Sequence, residues 1–354
     1  MDTLITILLS LLVFGFLIFI HEFGHFITAR IFGVTITEFS IGMGPKLMWY
    51  DSKKSGTRYS LAMLPIGGFV AMVGEDEESD DPNAFNKKAA WKRFIITAAG
   101  AFVNIVFGFI AMFIIVGMLK IGGTTVAGFA TDAEMLDMGE EIDLGHRSSE
   151  KLMVGDEIVS IEGNRVVIAD ELSYEIMRHG NEPVDIVVIR DGVEIELCDV
   201  VFPRMSDQGQ VFGLMDFKIY AVEKDFFSFF SISFRKTGLV LRMCWESIFD
   251  LITGRYTVAA VSGPVGISGA IGDAVSSGFV SVLNLVVIIS INLGFMNLLP
   301  IPALDGGRLL AILVEMITKK KMPAKVEAMI NAVGLMLLLG LSVIIMVKDI
   351  FTLF

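Results

Sequence analysis

The sequence predicts a polytopic α-helical membrane protein with about four transmembrane helices, a membrane-associated β-hairpin sheet and one α+β domain. Three observations predict it. Of 354 residues 54% are hydrophobic and the mean hydropathy is +0.69, too apolar for an ordinary soluble protein of this length. Apolar runs long enough to cross a bilayer, about 20 residues, recur near 4–32, 94–119, 279–299 and 326–347. Between the second and third lies a segment, 120–225, with 23 Asp or Glu against 9 Lys or Arg, which is the composition of a solvated domain. The chain therefore divides into a first membrane half (1–119), that domain (120–225), an amphipathic interfacial segment (226–278) and a second membrane half (279–354).

The first run ends in His21-Glu22-Phe23-Gly24-His25. On a helix, positions four apart share a face, so the two imidazoles can hold one zinc ion, with Glu22 as general base toward a water at that ion. A lone His pair is often accidental. A Glu between two His inside an apolar span is costly to bury, and such groups mark functional sites. The run lacks a basic leader and a small-residue cleavage site, so it reads as a retained span. Glu22 lies roughly 27 Å along the helix from Leu4, near the far side of the hydrocarbon core.

Residues 34–73 are different. They are β-rich, with short apolar runs on either side of Gly67-Gly68, and read as a small hairpin sheet. Dipping into the membrane face and a plain cytosolic hairpin both fit. Residues 75–81 form an acidic, solvated loop. Asn104 inside span two reads as a hydrogen-bonding contact to a neighbouring helix.

In the solvated domain, Gly155-Asp156-Glu157-Ile158 opens a strand, 170–179 reads as a helix, and Asp191-Gly192 joins two alternating strands as a hairpin. His146 and His179 read as surface residues. Residues 226–251 are aromatic and amphipathic, suited to lying along the interface. Ser262-Gly263-Pro264-Val265-Gly266 breaks that segment before span three.

Basic residues set the topology. The loop between spans one and two holds Arg30, Lys46, Lys53, Lys54, Arg58, Lys87, Lys88, Lys92 and Arg93; that between spans three and four holds Arg308, Lys319, Lys320, Lys321 and Lys325. The positive-inside rule puts both in the cytoplasm, the acidic domain and both termini outside, and the motif end of span one at the cytoplasmic side. A net charge of -12 argues against nucleic acid as a partner, and Cys198 and Cys244 make neither a disulfide framework nor a Cys-based zinc site.

A catalytic zinc takes three protein ligands and leaves a position for water. Span three ends in Asn297-Leu298-Leu299-Pro300-Ile301-Pro302-Ala303-Leu304-Asp305-Gly306-Gly307, where two prolines stop the helix at a depth similar to that of Glu22. Asp305 is either the third ligand or an N-cap for the segment from Gly306. Gly306 and Gly307 let backbone approach closely.

These two motifs resemble the site-2 protease family of intramembrane metalloproteases, most closely its bacterial RseP-like branch. Glu38-Phe39-Ser40-Ile41-Gly42-Met43-Gly44-Pro45-Lys46, Tyr59-Ser60-Leu61-Ala62-Met63-Leu64-Pro65-Ile66-Gly67-Gly68-Phe69-Val70 and Ser262-Gly263-Pro264-Val265-Gly266-Ile267 are similar to the same branch, and 120–225 looks like a single PDZ domain. The resemblance implies one Zn2+ per chain on His21, His25 and Asp305, with Glu22 as acid/base. It implies hydrolysis of peptide bonds in or near the transmembrane segment of single-pass proteins already shortened by another protease, such as anti-sigma factors or signal-peptide remnants. It also implies a bacterial plasma membrane. Asn297, Pro300 and Pro302 are the candidates for gripping the unwound substrate, with the hairpin edge beside them. The chain departs from the family in having Gly100-Ala101, not Gly-Pro, ahead of Asn104. Two other classes compete: a PDZ-bearing scaffold with a structural metal, and a zinc transporter, which would carry further ligands along its spans.

Overall fold

The computed structural model describes residues 3–352 apart from 76, 137–141, 208–209, 224 and 256–260. In chain order the elements are α1 (Thr3–Ile31), β1 (Ile36–Asp51), β2 (Arg58–Met72), α2 (Ala90–Met118), β3 (Ile121–Phe129), α3 (Asp132–Leu136), β4 (Ile142–Asp143), β5 (Glu157–Ile161), β6 (Asn164–Arg165), α4 (Ala169–His179), β7 (Val184–Arg190), β8 (Val193–Val200), β9 (Arg204–Asp207), β10 (Gln210–Gly213), β11 (Phe217–Val222), α5 (Phe226–Thr253), α6 (Pro264–Ser277), α7 (Phe279–Leu298), α8 (Asp305–Thr318) and α9 (Ala324–Thr352). They form two compact units. One comprises Met1–Met112, Val240–Ile248 and Val261–Phe354, the other Phe113–Leu239 and Phe249–Ala260.

Among the described residues four helices are long and apolar enough to cross a membrane: α1, α2, α7 and α9, with mean hydropathies of 2.2 to 2.5. A helix satisfies its own backbone groups, the condition hydrocarbon imposes. The helices match the four expected spans. Pro300 cannot continue α7, which stops at Leu298. With Gly100-Ala101 in place of Gly-Pro, α2 keeps all its N–H donors and runs unbroken over 29 residues.

Within the first unit, α2 packs between α1 and α7 at glycine contacts. A Cβ on Gly24 would lie 2.6 Å from the Ala99 carbonyl oxygen, and one on Gly294 would lie 2.6 Å from that of Ala101. Backbones this close are the usual result of small residues at membrane helix interfaces.

The hairpin differs from the expected set of short strands. It has two long strands, each bent on itself. Phe39 pairs with both Val70 and Tyr59, and Ile41 with both Gly68 and Leu61, so residues 38–41 have β2 on both sides. Residues 48–51 then pair with 58–61. Gly42, Gly44 and Gly67 lie in the left-handed region, where the bends require glycine. The sheet is held on α1 by Phe39, which packs on Phe26 with ring centroids 4.9 Å apart, and by Val34, Ile36 and Val70 in one apolar cluster with Ala29 and Ile96. Asp76, part of the acidic stretch, lies outside the described residues.

Pro264 occupies the first turn of α6, where its missing N–H costs nothing. The cap comes from elsewhere: Asp349 of α9 accepts from the backbone N–H of Gly263 at 2.9 Å and of Gly266 at 3.0 Å. A carboxylate at a helix N-terminus satisfies orphan donors and meets the positive end of the helix dipole.

In the second unit the main sheet runs β11-β3-β5-β7-β8, with β6 on β5, and a smaller sheet runs β10-β9-β4. The β7–β8 turn is Asp191-Gly192, both at positive φ, as a tight hairpin demands. Helix α4 sets Leu172 and Ile176 into a core with Ile158, Ile161, Ile186, Val188 and Phe202. Each such large side chain, fully buried, stabilises the unit by about 1.5–3 kcal/mol before entropy is subtracted. Paired polar groups sit in this interior, Asp216 among them. Asp216 accepts from the Ser148 N–H at 3.0 Å and from its hydroxyl at 2.5 Å. Burial pushes the Asp216 carboxyl above its ordinary range, opposed by those two bonds and by Arg147. Residues 137–141, in the early part of the unit, lie outside the described residues.

The 226–251 segment forms the single helix α5. It opens on a capping box between Asp225 and Ser228 and closes on Gly254 in the left-handed conformation.

Asp349→Ala leaves two N–H groups without an acceptor. It should lower stability by about 1–2 kcal/mol in denaturant titrations of the full chain in detergent. Asp349→Asn keeps one oxygen where both bonds converge and should recover most of the loss.

Candidate metal centre

The site is assembled from α1 and the first turn of α8. His21 and His25 are each 8% exposed and project from one face of α1. Their Nε2 atoms lie 3.2 Å apart. Asp305 Oδ2 lies 3.1 Å from Nε2 of His21 and 3.2 Å from Nε2 of His25. Helix α8 begins at Asp305 itself, Leu304 is its N-cap residue, and no side chain caps it. The capping alternative for Asp305 is therefore not realised, and its carboxylate turns to the histidines instead.

Donor chemistry tests whether a metal fits. His25 Nδ1 is 2.8 Å from the carbonyl oxygen of Ile96 on α2. A carbonyl only accepts, so Nδ1 carries the proton, and the neutral ring presents a lone pair at Nε2. That lone pair faces His21 Nε2 and a carboxylate oxygen with no other hydrogen-bond partner. Three electron-rich atoms aimed at one point repel one another unless a cation lies between them. Ligand atoms about 2.0–2.1 Å from a tetrahedral zinc would be ~3.3 Å apart, close to the observed triangle. Among the described residues two sets of three such donors cluster: His21, His25 and Asp305, with both histidines buried and Asp305 half-buried, and Asp185, Glu196 and Cys198, all exposed. The centre offers three donors, the number a catalytic zinc takes when a fourth position is kept for water.

Helix α2 backs both imidazoles. A Cβ on Gly100 would overlap His25 Nε2 and lie 2.8 Å from His21 Cε1, so only glycine fits. The loop before Asp305 is equally tight: a Cβ on Gly306 would overlap the Leu299 carbonyl, as the Gly306-Gly307 pair suggested. Ala303 in that loop adopts φ 72°, and its N–H donates to Asn331 Oδ1 of α9 at 3.3 Å. Further along, α8 is tied by ion pairs. Glu315 meets buried Arg93 at 2.5 Å, while Arg308 meets Glu75 and, at 3.6 Å, Glu327.

Beside the triad lies a cavity of about 350 Å³, lined by His21, Glu22, His25, residues 69–72 of β2, Glu75, Thr97, Asp305 and Arg308. Glu22 leans against the hairpin, its Cγ 3.3 Å from where a Gly68 Cβ would stand. The cavity thus joins a carboxylate, the three donors and the rim of a β-sheet. Residues 69–72 pair with β1 and, among the described residues, with no other strand.

The sequence-predicted residues separate here. His21, Glu22, His25 and Asp305 come together. Asn297, Pro300 and Pro302 do not line this cavity; Pro302 faces α9, in an apolar pocket with Ile301, Met329, Val333 and Leu337. Asn104 meets neighbouring helices as expected: its backbone carbonyl accepts from Ser290 Oγ of α7 at 2.9 Å, and its side-chain nitrogen stands 3.5 Å from His21 Nδ1 of α1. Thr97, Glu75, Arg308 and the α2 face at Ile96 and Gly100 escaped sequence reasoning. The signal for Ile96 and Gly100 is their four-residue spacing with Asn104 on one face of span two.

Two histidines and an aspartate around a Glu-lined cavity, carried on apolar helices, define a metallopeptidase-type centre in a membrane protein. The family model for peptidase family M50 matches residues 9–341, and the chain belongs to that family, the site-2 proteases. Relatives align end to end. One from Clostridium perfringens is 34% identical over 97% of this chain and 98% of its own length, and one from Fusobacterium nucleatum is 34% identical over 99% of each. Zinc metalloprotease RasP of Geobacillus kaustophilus is 29% identical over 99% and 98%. All three carry zinc metalloprotease names. The protein is a membrane zinc metalloprotease, and its cofactor is Zn2+.

Gly100→Ala drives a methyl group into both imidazoles. The zinc content of the purified protein should fall from one atom per chain to a small fraction, measured by atomic emission. Gly117→Ala on the same helix, whose methyl would meet only the Phe229 ring, should leave it unchanged.

Proposed function

We propose that His21, His25 and Asp305 hold the zinc ion, that Glu22 is the general acid/base, and that the enzyme cleaves peptide bonds in or beside the transmembrane segment of single-pass membrane proteins. The observation that carries this reading is the contact of Asp305 Oδ2 with both imidazoles, made from opposite ends of the chain. Zinc supplies Lewis-acid activation of water and of the scissile carbonyl when bound. Glu22, next to His21 and facing the cavity, takes the proton from the attacking water and delivers it to the leaving amine. His25 is kept in its metal-binding tautomer by Ile96.

A helical substrate hides its amides and must unwind before cleavage. Residues 69–72 offer an unpaired strand edge inside the cavity, and an extended peptide can add to it by backbone hydrogen bonds. Asn297, at the end of α7, and the loop through Pro300 and Pro302 contact the unwound stretch beyond the cavity. The far part of the hairpin exposes Met43, Leu47, Met48, Trp49 and Tyr50, side chains suited to a sheet that dips into the membrane face.

The count of basic residues supports a centre toward the cytoplasm and the second unit outside the cell, in a bacterial plasma membrane. Within that unit, residues 120–225 are proposed to be a single PDZ-like domain that admits substrates already shortened by another protease, anti-sigma factors and signal-peptide remnants among them. Against a structural metal site, the described residues offer three clustered donors rather than four, two of them buried.

Glu22→Gln should abolish cleavage of a model transmembrane substrate, at least ~1000-fold, while retaining zinc. Asp305→Ala should lose both zinc and activity, and a chelator should stop the parent enzyme. Turnover by a zinc-loaded Glu22→Gln protein would remove Glu22 from this role.

A further inference from the structure

We infer that Asn104 is the positioning residue of His21: its side-chain oxygen accepts a hydrogen bond from the His21 Nδ1–H and so turns Nε2 toward the metal. The inference rests on His21 being a zinc ligand. Asn104 is fully buried on α2, one turn beyond Gly100. Its side-chain nitrogen stands 3.5 Å from His21 Nδ1, while its Oδ1 is buried with no hydrogen-bond partner.

That arrangement contains a contradiction which a rotation removes. His21 Nε2 lies in the ligand triangle and needs its lone pair there. In the neutral ring the proton is then on Nδ1, which must donate. An amide NH2 also donates, so nitrogen against nitrogen gives no bond. The two ends of a carboxamide have the same shape, and turning the group by half a revolution exchanges them. The oxygen then meets the Nδ1–H, and the stranded acceptor gains its donor. A ligating imidazole normally has such an acceptor behind it.

Symmetry of the surroundings supports the assignment. His25 already has its acceptor, the Ile96 carbonyl at 2.8 Å. Ile96, Gly100 and Asn104 are spaced four apart and lie along one face of α2. The first and last support one imidazole each, and the glycine between them makes room for both rings. The backbone of Asn104 is pinned separately by Ser290, which frees the amide for this task.

The test uses the full chain in detergent. Zinc affinity is measured by chelator competition, and the absorption spectrum is recorded on the cobalt-loaded protein. Asn104→Leu, similar in volume but without an acceptor, should bind zinc about 10–100-fold more weakly and alter the cobalt spectrum. Asn104→Asp keeps an acceptor at the same place and should stay within a few-fold of the parent. Ser290→Ala, which loosens the backbone but not the amide, should leave affinity unchanged. Equal affinity in Asn104→Leu and the parent overturns the inference, and so does equal weakening in the Leu and Asp variants. If Asn104→Leu does not fold, Asn104→Ala set against Asn104→Asp gives the same comparison. In the unsubstituted zinc-loaded protein, nitrogen NMR of labelled histidine should show a His21 Nδ1–H protected from exchange; free exchange with water overturns the inference without any variant. His21→Ala separates the two levels. Should it bind zinc as tightly as the parent, the ligand assignment fails and the inference falls with it. Should it lose zinc while Asn104→Leu does not, only the inference falls.

Discussion

Three lone pairs aimed at one point in an apolar surrounding are the constraint on which the membrane unit depends. Neither imidazole nor carboxylate is at ease there. Desolvation penalises the charge on Asp305, and proximity penalises all three acceptors together. A divalent cation removes both costs at once. The arrangement suits a metal, and the rest of the unit can be understood as the means of bringing α8 to α1 and holding it there. The loop before Asp305 folds back on itself over Gly306, Asn331 steadies its strained Ala303, and Arg308 and Glu315 tie α8 to Glu75 and Arg93.

Much of this was legible in the amino-acid order because it is written in residue types at fixed spacing. His21-Glu22-Phe23-Gly24-His25 announces two imidazoles on one helical face with a carboxylate beside them. Asp305 stands out directly after a helix stopped by prolines, where the sequence left it as a third ligand or a helix cap, and the structure turns its carboxylate to the histidines. The Asp191-Gly192 turn and the 170–179 helix were equally plain. The four spans followed from length and hydropathy alone, with ends displaced by a few residues.

What escaped did so for physical reasons. Ile96 acts through its backbone carbonyl, and every residue has one. Gly100 acts through the side chain it lacks. Asp349 caps a helix far away in the chain, a pairing no local pattern announces. The hairpin was recognised as a hairpin, but the double pairing of 38–41 depends on where three glycines let the strands bend. The smaller sheet in the second unit rests on strands of two and four residues, too short for alternation to show. The packing of Pro302 on α9 was hidden as well, because a proline's place in the chain does not say which helix its ring will meet.

The backbone-to-backbone contacts of α2 with α1 and α7 have a consequence for how such a chain can drift. Where helices meet through glycine, the fit is set by a missing atom, and no neighbouring side chain can yield to absorb an error. Lipid-facing positions are the reverse: Met336 and Leu337 of α9 are 74% and 70% exposed, and any oily residue would serve. A random mutational library should therefore show a few isolated, unforgiving columns at 24, 100, 294 and 306, set in long stretches where apolar letters interchange almost freely.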